Sequence, residues 1–366
     1  MNASMSTHLE LARVLATLMV FFGHAKIFYA PLEQWANGFN PGRDAVIIFF
    51  VLSGYVISWC GRERESSALQ FAINRAARIY SVALPALALA FAVALFGSWW
   101  KESPVDYAFD KLWIYIPLYL GFAGSFWSLS EVPPSNFPWW SLNYEVWYYV
   151  LFGVLMYGRG AWRWAGALMI AILVGPKILL LWPMWLSGSL LYFYGHRVRM
   201  SPWFAKALVF LTPITYFFVK FFSVDTLLDD QVRVLFSAFG HAAPAEPLAG
   251  DYLVAVLVLL NFAGARQVDF NWGIRPVRYI AALASCSFSL YLFHMPLFEF
   301  VQFFWTSNDS LTAYFLIVLG CAAVIAIMAR YTEHRKSLYR TAFKATFAAL
   351  TPANLRAAAS RRRHFP

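Results

Sequence analysis

Residues 9–29 read LELARVLATLMVFFGHAKIFY, an apolar run that carries Arg13 and His24 in its interior. A helix of about 20 apolar residues is long enough to cross the hydrocarbon core of a bilayer. The whole 366-residue chain is 60% hydrophobic and 13% charged, whereas soluble domains are about 45–50% apolar and about 25% charged. The composition excludes a water-soluble globular protein and predicts an all-α fold, a polytopic membrane helix bundle.

Eleven apolar runs follow one another along the chain. They are residues 9–29, 44–60, 79–98, 112–123, 141–158, 163–181, 183–195, 203–222, 252–264, 283–305 and 310–330. The run 112–123 is short and has Pro117 in its middle, so we predict a re-entrant or interfacial segment there. The other ten runs are expected to cross, which predicts about ten transmembrane helices. No cleavage site follows the first run, so we expect a retained span rather than a signal peptide.

The basic residues indicate an orientation. Of the 29 Lys and Arg residues, 22 lie on the side of the bundle that holds both termini. Positively charged loops stay cytoplasmic, so both termini are expected inside. We assign residues 1–335 to one membrane domain and residues 336–366 to a basic cytoplasmic tail. The net charge of +10 then requires no nucleic-acid partner, because contacts with anionic membrane lipids account for it.

The cysteines do not indicate a metal site or a disulfide framework. Cys60, Cys286 and Cys321 are scattered along the chain, inside or at the ends of apolar runs. An odd number of cysteines without metal-ligand spacing is typical of packing residues. We therefore expect neither a metal nor a tightly bound cofactor.

Charged groups inside apolar runs are costly and usually mark functional sites. Arg13 and His24 are eleven residues apart, which places them on one helix face about 16 Å from each other along the axis. A cationic group near the cytoplasmic edge and a deeper imidazole suit a long anionic ligand. The alternative is an arginine that snorkels to the surface and a hydrogen-bonded core histidine.

Arg75 and Arg78 lie three residues apart at the entrance to the third span, on one helix face. With Arg13 they are expected to form a guanidinium cluster of the kind that binds phosphates bidentately. Ordinary positive flanking of a span is the alternative.

Three further positions are candidates. Ser141 and Glu145, four residues apart, share a helix face, and a buried glutamate must be paired, hydrogen-bonded or protonated. His294 lies beside Pro296, which frees a backbone carbonyl within the span. For Glu145 and His294 a structural role and a site role both remain open.

These residues fall in motifs that together resemble the acyltransferase-3 family of membrane acyltransferases. The matching elements are Glu10-Leu11-Ala12-Arg13 with His24, FFVLSGYVI at 49–57, Arg75-x-x-Arg78 with Ile79-Tyr80, Trp140-Ser141-Leu142-x-x-Glu145 with Tyr149, SLYLFHMP at 289–296, and Glu333. They occur in order from residue 9 to about residue 335. The family usually has Asp at the position of Glu10 and commonly Ser-Val at that of Asn143-Tyr144, and these departures leave the subfamily and the acceptor open.

The resemblance implies transfer of an acyl group, most often acetyl, from cytoplasmic acyl-CoA to a hydroxyl of a cell-surface or exported glycan or glycolipid. It also implies a multi-pass location in the bacterial cytoplasmic (inner) membrane. The donor is a substrate, so no resident cofactor is expected.

The residue chemistry agrees with this implication. Histidine has an unperturbed pKa of about 6.5 and suits a general base, although it also acts as a nucleophile in other acyl transfers. We predict three groups of site residues: catalytic His24, Arg13 and Glu145; donor-binding Arg13, Arg75 and Arg78; and acceptor-binding Ser141, Tyr291 and His294. For the oxyanion, Ser53, Asn74 and Tyr291 are unranked candidates.

Two other functions compete with the enzyme. A transporter of a small solute or lipid-linked sugar would also need charges within the bundle, but the chain lacks the repeated halves with broken helices that are typical of such proteins. A non-catalytic scaffold would not need Arg13, His24 and the arginine pair together.

Overall fold

The computed structural model describes residues 1–35, 41–100, 109–238, 248–305 and 310–350. The helices within these ranges are α1 (Ala3–Ala25), α2 (Ala30–Trp35), α3 (Pro41–Glu63), α4 (Ala68–Trp100), α5 (Leu112–Leu120), α6 (Trp139–Tyr157), α7 (Gly160–Val174), α8 (Pro176–Tyr194), α9 (Pro202–Phe221), α10 (Val224–Ala238), α11 (Leu248–Ala265), α12 (Ile274–Ala284), α13 (Ser287–Gln302), α14 (Leu311–Tyr331) and α15 (Lys336–Leu350). The described ranges contain no β-strand. The predicted all-α membrane bundle is confirmed.

The predicted count of ten crossings is not confirmed. Seven helices of the described ranges are long and apolar enough to span a membrane, and α12 with α13, bent by 47°, makes an eighth if the pair is one span. The differences are at α6, whose apolar character is lowered by Ser141, Asn143 and Glu145, and at α7, which has only 15 residues. The predicted run 163–181 was wrong as one segment, because the chain breaks at Gly175, where φ is +79°.

The short apolar run 112–123 forms a helix of nine residues, α5. At 1.5 Å per residue this helix is about 14 Å long, less than half the thickness of a hydrocarbon core. Its last carbonyl, that of Leu120, accepts a hydrogen bond from the Tyr80 hydroxyl at 2.6 Å. The length of α5 agrees with the prediction of a segment that does not cross.

Helices α3 and α8 approach each other through two glycines. A Cβ added at Gly54 would lie 1.8 Å from the carbonyl oxygen of Trp185, and one added at Gly188 would lie 1.9 Å from a carbonyl oxygen of α3. Small residues permit this close approach of backbones between membrane helices. Across the same interface Ser58 Oγ donates to Ser189 Oγ at 2.7 Å. Glycine is therefore required at both positions.

The C-terminal segment packs against the bundle. Helix α15 lies along α4, where the ring of Phe343 is 5.9 Å from that of Tyr80. The predicted boundary at residue 335 lies between α14 and α15, and residues 336–350 of the predicted tail form α15. Residues 351–366 of the predicted tail lie outside the described ranges.

Gly54→Ala is expected to lower the free energy of unfolding by at least about 1–3 kcal/mol, because the added methyl group overlaps the Trp185 carbonyl. Gly320→Ala is the matched control, since a Cβ there meets no atom within 4 Å, and its effect should stay within about 0.5 kcal/mol. Thermal unfolding of the two purified variants, followed by tryptophan fluorescence, makes the comparison. A wild-type midpoint for Gly54→Ala would contradict the contact.

Candidate active site

A cavity of about 60 Å³ lies between α1, α3, α4, α6 and α13, and we name it the arginine chamber. Its wall includes the polar side chains of Arg13, Ser53, Arg78, Glu145, Tyr149 and Tyr291. Five helices that are distant along the chain thus place most of the predicted site residues around one space.

Arg13 and Arg78 lie inside the bundle rather than at helix ends. Each is ten residues from the first residue of its helix, which is about 15 Å along the axis. Both guanidinium groups therefore lie beyond the first turns of their helices. Within the described ranges neither guanidinium has a carboxylate oxygen within the 4.0 Å of an ion pair. Both arginines are available to a ligand.

Three acidic groups surround the arginines without pairing with them directly. Glu333, just after α14, lies within electrostatic range of both. Its carboxylate accepts hydrogen bonds from the backbone N–H of Ser289 at 2.9 Å and from the Ser289 hydroxyl at 3.0 Å. The second acid, Glu145, interacts electrostatically with Arg78, and the third, Glu10, with Arg13. The arginine charge is thus offset at a distance, and the described residues give the two guanidinium groups no hydrogen-bond partner of their own.

Glu145 is held by a network that joins three helices. It accepts hydrogen bonds from Ser53 Oγ on α3, at 2.8 Å, and from the Tyr149 hydroxyl one turn along α6. Ser53 in turn accepts from the indole N–H of Trp185 on α8 at 3.3 Å. These contacts give Glu145 the structural anchoring that the sequence left open, and they also place its carboxylate on the wall of the arginine chamber.

Arg75 does not join the other two arginines. Its Nη2 forms an ion pair with Glu65 Oε1 at 2.8 Å, and the Glu65 side chain is only 2% exposed. Asn74 donates to the same oxygen at 2.8 Å. The predicted cluster of three guanidinium groups is therefore reduced to Arg13 and Arg78, because a local carboxylate binds Arg75. Asn74 and Ser53, two oxyanion candidates, are also occupied by carboxylates.

A second cavity, of about 290 Å³, lies next to the first, and we name it the histidine chamber. Its polar and aromatic wall includes His24, Arg43, Trp140, Tyr144, Lys177 and Tyr291. Tyr291 and Val46 line both chambers. Arg13 and His24 share a face of α1, as predicted, but each lines a different chamber.

His24 is bonded to a second histidine. Its Nδ1 lies 2.9 Å from Nε2 of His294, and the two rings stack with their centroids 5.1 Å apart. Nδ1 of His294 lies 3.0 Å from the carbonyl oxygen of Leu290, one turn earlier on α13. His294, which the sequence placed among acceptor-binding residues or in helix packing, is thus a direct neighbour of His24. No local pattern indicates this contact, since the residues are 270 positions apart.

Ser141 and Tyr291 form the partition between the chambers. Their hydroxyl oxygens are 2.5 Å apart, and each also lies 3.2 Å from the carbonyl oxygen of Pro138. Of the three oxyanion candidates, Tyr291 alone lines both chambers.

Sequence reasoning also missed Lys177, which lies within the predicted run 163–181. The break at Gly175 begins α8 at Pro176, so that Lys177 lies in its first turn and lines the histidine chamber. A glycine-proline pair before a lysine was the available signal. Within the described ranges no group of three or more His, Cys, Asp or Glu residues could hold a metal ion.

The sequence profile described as an acyltransferase domain, that of acyltransferase-3, matches residues 7–330. The chain belongs to the acyltransferase-3 family. The resemblance found in the motifs is thereby confirmed, and this acyltransferase-3 protein is a multi-pass membrane acyltransferase of the O-acetyltransferase-like kind.

Two relatives of this acyltransferase-3 protein illustrate the family. The exopolysaccharide production protein ExoZ of Rhizobium meliloti (strain 1021) is 24% identical over 282 residues, which cover 73% of this chain and 80% of the relative. An O-acetyl transferase of Shigella phage Sf6 is 37% identical over 83 residues, which cover 22% of this chain and 25% of the relative. No solved structure matches the chain.

Arg78→Ala is expected to weaken coenzyme A binding about ten- to a hundredfold, because a charge-assisted hydrogen bond to phosphate contributes about 1.5–3 kcal/mol. Arg75→Ala should leave that affinity unchanged and lower stability instead, since it leaves Glu65 buried without its cation. Calorimetric titration with coenzyme A and thermal unfolding of both variants separate the two effects. Equal losses of affinity would show that Arg75 also holds the donor.

Proposed function

We propose that the protein transfers an acetyl group from cytoplasmic acetyl-CoA to a hydroxyl of an exported polysaccharide. The observation that carries the proposal is the hydrogen-bonded pair of His24 and His294, which stands beside a chamber of unpaired arginines. The donor enters the arginine chamber, the acceptor enters the histidine chamber, and the two substrates meet near Tyr291.

The hydrogen bonds of the pair determine which nitrogen of His24 is basic. A carbonyl oxygen only accepts, so Nδ1 of His294 carries the hydrogen that points to Leu290. In a neutral imidazole the other nitrogen is then an acceptor, and Nε2 of His294 accepts from Nδ1–H of His24. Nε2 of His24 is left with its lone pair. His294 thus acts as a positioning residue that holds His24 in the tautomer required of a general base.

The transfer step follows from this arrangement. His24 Nε2 removes the proton of the acceptor hydroxyl as the oxygen attacks the carbonyl carbon of the thioester. The tetrahedral intermediate collapses with cleavage of the carbon–sulfur bond, and the thiolate of coenzyme A takes the proton from His24. The new ester leaves with the acceptor. Tyr291 is the side chain best placed to stabilise the oxyanion, because it lines both chambers.

Arg13 and Arg78 are assigned to the phosphates of the donor. Guanidinium groups bind phosphate oxygens bidentately, and these two are not consumed by an ion pair in the described part of the protein. They stand on the side of the bundle at which α1 and α4 begin. We place this end in the cytoplasm, since the same end carries most of the lysines and arginines.

The acceptor class rests on the relatives and on the chamber wall. One relative is named for exopolysaccharide production and another as an O-acetyl transferase. The histidine chamber is larger than the arginine chamber and presents the rings of Trp140 and Tyr144, which suit the apolar faces of sugar rings. An exported glycan hydroxyl and an acetyl donor are consistent with both observations.

His24→Ala should lower the turnover of acetyl-CoA with an acceptor by about 10²–10⁴-fold, and His294→Phe should cause a loss in the same range, because the first removes the base and the second its orienting partner. Coenzyme A binding should be unchanged in both. His196→Ala, at an exposed position, is the control and should keep full activity. Near-normal turnover of folded His24→Ala would exclude the proposal, and acetyl label trapped on His24 without acceptor would replace the base by a nucleophile.

The orientation is tested separately by single cysteines in a cysteine-free background. Ser66→Cys, in the turn between α3 and α4, should react only with reagents that reach the cytoplasm, whereas Ser128→Cys, in the loop before α6, should react from outside. Both serines are exposed. The Tyr157 hydroxyl at the far end of α6 bonds to the carbonyl of Glu65 at 3.1 Å, so the two sites lie at opposite ends of α6. Labelling of Ser66→Cys from outside would reverse the proposed topology.

A further inference from the structure

The wall of the histidine chamber carries more positive charge than the described residues around it compensate. Two cations, Arg43 and Lys177, lie on its wall, and within the described residues that line it there is no aspartate or glutamate. A cavity that is to hold a neutral sugar has no need of a fixed cation. The balance of charge on this wall therefore bears on the chemistry of the acceptor.

Arg43 is already compensated. It forms a bidentate pair with Asp251 on α11, with Nε 3.0 Å from Oδ1 and Nη2 2.6 Å from Oδ2. Its guanidinium also lies 5.7 Å from the ring centroid of Trp140. The Asp251 side chain is only 2% exposed, so this pair is part of the packed structure. Arg43 shapes the chamber without adding net charge to it.

Lys177, the second cation on the wall, contacts neutral groups instead of a carboxylate. Its ammonium donates to the carbonyl oxygen of Leu129 at 2.9 Å and to Ser130 Oγ at 2.6 Å, and both acceptors are neutral. Within the described residues no carboxylate lies within the 4.0 Å of an ion pair. An ammonium group has three hydrogens to donate, so one remains after these two bonds.

The ammonium is held in position by a loop that is itself fixed. The backbone N–H of Trp127 donates to the Val174 carbonyl at 3.0 Å, and its indole N–H donates to the Ile172 carbonyl at 3.1 Å. The N–H of Glu131 closes the loop on the Gly124 carbonyl at 2.8 Å. Its two acceptors therefore hold the Lys177 side chain in one position. This lowers the conformational entropy that is lost when a ligand binds.

We propose that the histidine chamber selects an anionic acceptor, a glycan with a carboxylate or phosphate group close to the hydroxyl that is acylated, and that Lys177 binds this group. When a glycan displaces water from the chamber, the ammonium loses hydration and requires a partner of opposite charge. A sugar hydroxyl accepts its hydrogen but does not balance its charge. This inference rests on the proposed function, because it assigns the chamber to the acceptor.

The test compares two disaccharides that differ only in charge. One ends in glucuronic acid, and the other is its carboxyl-reduced glucose counterpart. Dissociation constants are measured on the full-length protein in lipid nanodiscs without any donor. The acidic disaccharide is expected to bind about ten- to a hundredfold more tightly, the range of a charge-assisted hydrogen bond, and rising salt should reduce the difference.

Lys177→Gln should bring the affinity for the acidic disaccharide down to that for the neutral one. Lys206→Gln, which removes an exposed lysine from α9, is the matched control and should keep the preference. Equal binding of the two disaccharides, binding of neither, or an equal loss of both in Lys177→Gln would overturn the proposal.

The same samples separate this inference from the proposed chemistry. With acetyl-CoA added, a preference for the acidic disaccharide without release of coenzyme A would leave the binding assignment in place and contradict the proposed transfer. Transfer at equal rates to both disaccharides would support the proposed transfer and contradict the role of Lys177.

Discussion

The close contact between α3 and α8 at Gly54 and Gly188 determines where the polar wall of the arginine chamber is built. Because the two backbones touch at this crossing, Ser53, the neighbour of Gly54, comes within hydrogen-bond distance of the Trp185 indole. Ser53 then donates to Glu145. The glycine contact between α3 and α8, which involves no charged group, thereby fixes the position of the Glu145 carboxylate on α6.

The first helix connects this wall to the second half of the site. Arg13 and His24 lie on one face of α1, and α3 and α13 complete the walls around them. The arginine chamber is small and charged, whereas the histidine chamber is larger and partly aromatic. Under the proposed function, one helix presents both the arginine assigned to phosphate and the histidine assigned as base, and the distance between them along the helix sets the reach that the donor must have.

Much of the fold and part of the site are predictable from the sequence. Apolar run length predicts most helices, and a period of 3.6 residues places Arg13 and His24 on one side of α1. The same reasoning fails where the partner of a side chain comes from another helix or from a loop that packs nearby. Arg75 and Arg78 are equivalent by spacing, yet Glu65 binds only Arg75. His294 reaches His24 only because α13 packs against α1.

The partition between the chambers has a consequence for the transfer itself. The hydroxyls of Ser141 and Tyr291 bond to each other and to the Pro138 carbonyl, and Tyr291 lines both cavities. Under the proposed function, a thioester that comes from the arginine chamber must pass this hydroxyl pair to reach His24. Transfer then includes a movement of the Tyr291 side chain that breaks its hydrogen bonds to Ser141 and Pro138.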